Sequence, residues 1–263
     1  MTRLTEQHAR ARAENPAGRD FSEALARGLS VIGLFGPDTQ ALTLSDAARR
    51  LDLPRATVRR ALITLTALGY AEERERFYRL TPKVLRLAGA YLGASFASTL
   101  FQPACTALSV QYGETFSLAT LDGDDAVMVA YATPRRLYDG GGLGLRMPAY
   151  CSAVGRVLMA GASSEERDAY LKRLTPTLVT RHTVTDKAAL RRILNQVEQD
   201  GYALASEEAE EGFRSLAVPI VHPSGGARYA LNIGRVVSAP TDDLTRFLPI
   251  LKEAARELQA QLV

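Results

Sequence analysis

Residues Leu44–Tyr70 read "LSDAARRLDLPRATVRRALITLTALGY", and they decide the fold. Thr43 followed three residues later by Asp46 predicts an N-cap and a short helix through Leu51. "DLPR" predicts a tight turn, with Pro54 suited to the first turn of the next helix. That second helix keeps Val58, Ala61, Leu62, Leu65 and Leu68 on one face and ends at Gly69. Two helices joined by a turn of about 3–4 residues have helix-turn-helix spacing. Downstream, "YAEERERFYRLTP" predicts short strands at Tyr70–Glu72 and Phe77–Leu80 around a charged turn, a wing. Upstream, Phe21, Leu25, Leu29, Ile32 and Phe35 recur at helical spacing until "GPDTQ" breaks the pattern.

The charge supports a nucleic-acid role for this module. The 263-residue chain carries a formal net charge of +3. Residues 1–82 hold 13 arginines against 10 acids, and the remainder holds 19 basic residues against 19 acids, so the whole excess lies in the first third. Arg55, Arg59 and Arg60 stand on the second helix with no acid from Pro54 to Leu68, turned away from its apolar stripe. Arginines on a surface helix can be mere solvation. The turn spacing, the wing and the charge split favour a recognition helix, whose N-terminal residues reach bases while basic neighbours hold phosphates.

Residues 1–20 are polar, broken by "NPAG", and read as a mobile arm. They lack the apolar core of a signal peptide, and no apolar run approaches the roughly 20 residues of a membrane span. With two cysteines at no framework spacing, Cys105 and Cys151, the expectation is a cytoplasmic protein. A helix beginning at Pro82, apolar on much of its circumference, is expected to be buried against a partner. From Glu114 strands and helices alternate, which predicts one antiparallel sheet with helices. "TFSLATLDGDDAVMVAYAT" gives two strands, "CSAVGRVLMAGAS" a helix, and "FRSLAVPIVHPSGGARYALNIGRV" a hairpin turning at Pro223–Gly226; Asp242–Leu262 closes the chain as a helix.

Several chemistries are weakly supported. "DGGGLG" (Asp139–Gly144) lacks the GK[ST] or strand–helix context of a phosphate loop and reads as a flexible loop over a pocket. His8, His182 and His222 lack ligand spacing, so neither a metal nor a cofactor is expected. Ser152 has no nucleophile elbow and no assigned base, which argues against an enzyme. Cys151 is either a redox-sensitive thiol or a small pocket or core residue. The helix start at Ser152–Val154 is either ordinary or a cradle whose free N–H groups receive a carboxylate.

The stretches "ARGLSVIGLF", "LTLSDAARRLDLPRATVRRALITLTALGY", "YRLTPKVLRLAGAYL", "RMPAYCSAVGRVLMA" and "EEGFRSLAVPI" together resemble the IclR family of bacterial transcriptional regulators across about residues 21–262. Within it they are most similar to the branch controlling protocatechuate and 4-hydroxybenzoate catabolism. The resemblance implies an α+β chain: a winged helix-turn-helix over 21–82, a linker helix over 83–112 and a GAF-like effector domain over 113–263. It implies a homodimer, or a dimer of dimers, on a double-stranded DNA operator. The expected DNA contacts are Ser45, Arg55, Ala56, Thr57, Arg59, Arg60, Arg74 and Arg76. The implied effector set, for a small organic and by resemblance aromatic acid, is Leu143, Arg146, Ala153, Val154, Ala205, Ser215, Asn232 and Gly234. Ala205 stands where the family usually has Asp or Ser, which removes one polar contact with the effector.

Overall fold

The computed structural model describes residues 21–36, 38–94, 96–134, 142–221, 227–236 and 243–262. The expected arm at 1–20, the turn at Pro223–Gly226, Asp139–Gly141, His8 and His222 lie outside them. The chain divides into one unit up to Tyr91 and a second from Leu92.

In the first unit, helix α1 (Glu23–Ile32) starts at Ser22, whose hydroxyl accepts from the Leu25 N–H. Strand β1 (Leu42–Thr43) leads directly into α2 (Leu44–Leu51). Thr43 caps α2 as expected: its Oγ1 accepts from the Asp46 N–H at 3.2 Å and donates to the Asp46 carboxylate at 2.7 Å. That hydroxyl is the main reason the Asp46 carboxyl lies below its ordinary pKa. The turn passes through Asp52 in the left-handed region (φ 52°), and α3 (Arg55–Ala67) follows with Pro54 at its N-cap. Strands β2 (Ala71–Arg74) and β3 (Phe77–Leu80) form the wing, and β3 pairs with both β1 and β2. The first wing strand thus begins and ends later than the expected Tyr70–Glu72. Its tip, Glu75–Arg76, holds two consecutive positive φ angles of 53° and 69°, the geometry of a tight hairpin turn. Val31, Ala47, Leu51, Val58, Leu62, Leu65 and Tyr78 form the core.

The periodic leucines of α1 do not join that core. Leu25 is 62% and Leu29 50% exposed, because Ser30 and Val31 are the residues α1 turns inward. After a 3-10 turn at Pro82–Val84 comes α4 (Leu85–Ala94), on which Leu85, Leu87 and Tyr91 are likewise exposed.

The first helix lying wholly in the second unit is α5 (Phe96–Tyr112), so the expected linker region holds two helices. Its six-stranded antiparallel sheet contains β4 (Thr115–Asp122), β5 (Asp125–Ala132), β6 (Arg146–Pro148), β7 (Ala203–Ser206), β8 (Phe213–Val221) and β9 (Ala227–Val236), in the order β6-β5-β4-β9-β8-β7. Side chains alternate between its faces. Phe116, Leu118, Leu216, Val218, Ile220, Leu231 and Ile233 pack against α5 and the terminal helix α9 (Leu248–Ala260). The opposite face is paved with small residues, Ala119, Ala126, Ala203, Ala205, Ala217 and Ala230, and is covered by α6 (Ala153–Ala160). Helices α7 (Ser164–Arg173) and α8 (Lys187–Asp200) complete the unit beyond α6.

Two contacts fix α6. A Cβ at Gly155 would stand 2.2 Å from the Ala149 Cα, so only glycine lets the helix sit on the preceding 3-10 turn. Arg156, 3% exposed in an otherwise apolar helix, forms a two-pronged ion pair with Glu208 (2.6 and 2.7 Å) and donates from Nε to the Tyr150 carbonyl at 3.0 Å. Glu208 also accepts from the Val184 N–H at 3.2 Å, which ties α6 to two loops.

Candidate functional site

On the first unit, α3 presents Arg55, Ala56, Arg59 and Arg60 to solvent. Among the described residues no ion pair engages the three arginines, whereas Arg49 pairs with Asp46 and Arg74 with Glu72 (3.1 Å). The helix begins at Pro54 without a side-chain cap, so its first N–H groups and its macrodipole favour an anion. Arg59 lies beside the wing: burial first and Glu73 next raise the Tyr78 pKa, and Arg59 pulls it the other way. Arg76 is exposed at the wing tip, and Ser45 is exposed in the first turn of α2. Thr57 departs from the outward set; it is half-buried and, with Arg60, lines the rim of a groove between α1 and α3. That groove, about 590 Å³, runs over Leu25, Leu29, Ile32, Leu68 and Leu87.

On the second unit, strand register gathers the predicted effector residues. Thr115, Gly234, Ser215 and Ala205 face one another across β4, β9, β8 and β7 in one row. The next row is Tyr131, Ser117, Asn232, Ala217 and Ala203. Both lie on the face covered by α6, whose first residues Ala153 and Val154 are buried in the same cluster as Ala205 and Ala217. Ser152 caps α6, accepting the Gly155 N–H at 3.2 Å, while the Ala153 and Val154 N–H groups have no intrahelical acceptor. Asn232, 4% exposed, donates from Nδ2 to Ser117 Oγ at 3.2 Å, and its buried Oδ1 has no hydrogen-bond partner among the described residues. A buried acceptor left unmet costs about 1–3 kcal/mol, so this atom calls for a donor. Gly234 is needed because the Phe213 ring lies over it, 2.4 Å from where a Cβ would stand.

Six of the eight predicted effector residues therefore meet at the interface between α6 and the sheet. Leu143 is exposed, and Arg146 is bound by Asp122 (2.5 Å) and Asp125 (3.3 Å) at the β4–β5 turn while its neighbours Leu145 and Met147 pack inward. Sequence reasoning missed Ser117, Tyr131, Phe213 and the Arg156–Glu208 pair. The alternation in "TFSLAT", which puts a serine at a buried position, was a signal for Ser117, and an arginine inside "AVGRVLMA" was one for the ion pair. Cys151 is fully buried, with its thiol 3.7 Å from the Pro148 carbonyl, and burial pushes the Cys105 thiol up to about 12. Among the described residues no cluster of His, Cys, Asp or Glu could hold a metal ion, and no helix is long and apolar enough to cross a membrane.

A winged helix whose α3 carries arginines that no ion pair engages among the described residues, followed by a sheet domain with an unmet polar atom in its interior, defines a DNA-binding regulator with its own sensory domain. Comparison with known proteins specifies which kind. Residues 24–75 match the IclR helix-turn-helix domain, and residues 91–260 match the bacterial transcriptional regulator IclR C-terminal domain. The chain belongs to the IclR family of transcriptional regulators; it is a regulator and not an enzyme. It is 41% identical to the Pca regulon regulatory protein of Pseudomonas putida over 92% of this chain and 85% of that one. It is 32% identical to the p-hydroxybenzoate hydroxylase transcriptional activator of Acinetobacter baylyi, over 91% and 92%. A solved IclR homologue from Microbacterium hydrocarbonoxydans, complexed with 4-hydroxybenzoate, superposes with a TM-score of 0.75 at 28% identity, covering 91% of this chain and 99% of that one.

Proposed function

We propose that this regulator controls catabolic genes in response to a small aromatic carboxylic acid such as 4-hydroxybenzoate or protocatechuate, bound between α6 and the sheet. The observation that carries the reading is the unmet Asn232 Oδ1, buried on the face that α6 covers. A carboxylate would accept from the Ala153 and Val154 N–H groups, with the helix dipole favouring its charge. The ring would lie on Ala205 and Ala217, beside Ser215 and the Phe213 ring that covers Gly234, and a phenolic hydroxyl would donate to Asn232 Oδ1. The names of the Pseudomonas and Acinetobacter relatives, and the ligand of the Microbacterium homologue, point to the same class of acid. Arg55, Ala56, Thr57, Arg59 and Arg60, with Ser45, would contact the operator in the major groove, and Arg74 and Arg76 the backbone or minor groove beside it. The exposed leucines of α1 and α4, with Leu68 just after α3, suit a homodimer that sets the half-site spacing, and a dimer of dimers would extend it. A cytoplasmic location accords with DNA binding. A redox reading through Cys151 would need an exposed thiolate, and that residue is fully buried.

Titration calorimetry on the full chain tests the effector. The two hydroxylated acids are expected to bind, and benzoate more weakly by roughly 5-fold or more, the worth of about 1 kcal/mol of hydrogen bonding. Binding of an aliphatic acid such as pyruvate with none of the aromatic ones would overturn the reading.

A further inference from the structure

Helix α5 packs mainly through Phe101 and Cys105 against the sheet face opposite α6. Gln102, between them in position, reaches instead to the edge of β5. Its Nε2 donates to the Tyr131 carbonyl at 2.9 Å, and its Oε1 accepts from the Tyr131 N–H at 3.1 Å. A carboxamide carries donor and acceptor as a peptide group does, so Gln102 continues the ladder beyond the reach of β6. That strand pairs with β5 only at residues 125–127, and Gly144 and Leu145 bond to Met128 after it. An open strand edge would leave the Tyr131 peptide unmet.

The Tyr131 side chain stands on the other side of this link. Its register partner is Ser117, whose Oγ takes the amide of Asn232, and its hydroxyl interacts with Thr115 and Thr133. One residue thus faces the candidate effector site with its side chain and holds α5 with its backbone. Pro103 follows Gln102 and removes a helical hydrogen bond at that point, a place where α5 can bend. Helix α5 follows directly on α4, which leads out of the winged-helix unit.

We propose that Gln102 is the coupling residue of this regulator, passing occupancy of the α6-covered face through the Tyr131 backbone to α5. The inference rests on that face being the effector site. A ligand donating to Asn232 repositions Ser117 and Tyr131, and two hydrogen bonds carry the shift of β5 to the helix. Gln102 touches no ligand; it is a positioning residue.

The test uses the full chain, Gln102→Leu, which keeps size and removes both bonds, and Gln102→Glu, which sets a carboxylate against the Tyr131 carbonyl. DNA from upstream of the protein's own gene is titrated with and without saturating 4-hydroxybenzoate, and calorimetry follows the acid itself. Both variants are expected to bind the acid and the free DNA within about 3-fold of wild type. The change in DNA affinity on adding the acid, ordinarily about 5–150-fold for an allosteric pair, is expected to fall below about 2-fold. An unchanged ligand effect overturns the proposal, and so does a parallel loss of acid binding, which would place Gln102 in the site itself. If wild type binds no such acid, the effector reading fails separately. Hydrogen exchange on the ligand-free protein then decides. Gln102→Leu must deprotect both the Tyr131 amide and α5, and an unaltered α5 excludes the link. The same measurement identifies a variant that fails to fold, in which case the outcome with Gln102→Glu is the deciding one.

Discussion

Arg59 shows how much one side chain can decide. It stands on the exposed face of α3, unpaired among the described residues and next to the wing, so its charge is available to DNA. Arg50 differs: its guanidinium donates to Thr39 Oγ1 at 2.9 Å. Arg59→Ala is expected to weaken operator binding roughly 5- to 150-fold, the range for loss of a base contact worth about 1–3 kcal/mol. Sedimentation should show the same oligomer. If anisotropy titrations at fixed salt give the wild-type affinity, Arg59 is not a DNA contact. A residue that binds phosphate alone would instead lower the slope of affinity against salt by about one.

Among the elements, α6 is the one whose placement governs the candidate site. Gly155 lets it descend onto Ala149, and the Arg156–Glu208 pair locks it to the loops around Val184 and Glu208. Arg156→Met leaves the Glu208 carboxylate buried without its partner, and this is expected to cost about 3–5 kcal/mol. Urea unfolding should show the loss, and Arg156→Met with Glu208→Leu should recover part of it because no orphan charge remains. A single variant as stable as wild type would mean the pair contributes nothing. Elements were the most legible part of the sequence. Thr43 and Asp46 announced α2, and the apolar stretch "FRSLAVPI" ahead of the Pro223–Gly226 turn signal announced β8 as one arm of a hairpin. What pairs with what across the sheet was not legible, because residues such as Ser117 and Asn232 lie 115 positions apart and only register brings them together. Arg146 shows the limit: its motif was clear, but whether it faces α6 or the Asp122 carboxylate depends on the strand's phase.

At the scale of the whole molecule, charge and apolar surface are distributed by unit. The winged-helix unit holds the entire positive excess and also exposes Leu25, Leu29, Leu68, Leu85, Leu87 and Tyr91. Sequence periodicity marked Leu25 and Leu29 as one face of a helix but could not say which way it turned, since a core stripe and a partner stripe share the same spacing. Leu29→Asp is expected to shift sedimentation toward monomer and to weaken operator binding by at least about 10-fold, since one half-site is lost from each complex. A charged variant that still sediments as the wild type would place the dimer contact elsewhere. The closeness of α6 to its seat has an engineering consequence. With no room for even a methyl group between Gly155 and Ala149, variation on that side of the helix is closed, and a biosensor retuned to new inducers would have to be evolved from the sheet, where Ala203, Ala205, Ala217 and Ala230 form a floor that can be raised one carbon at a time.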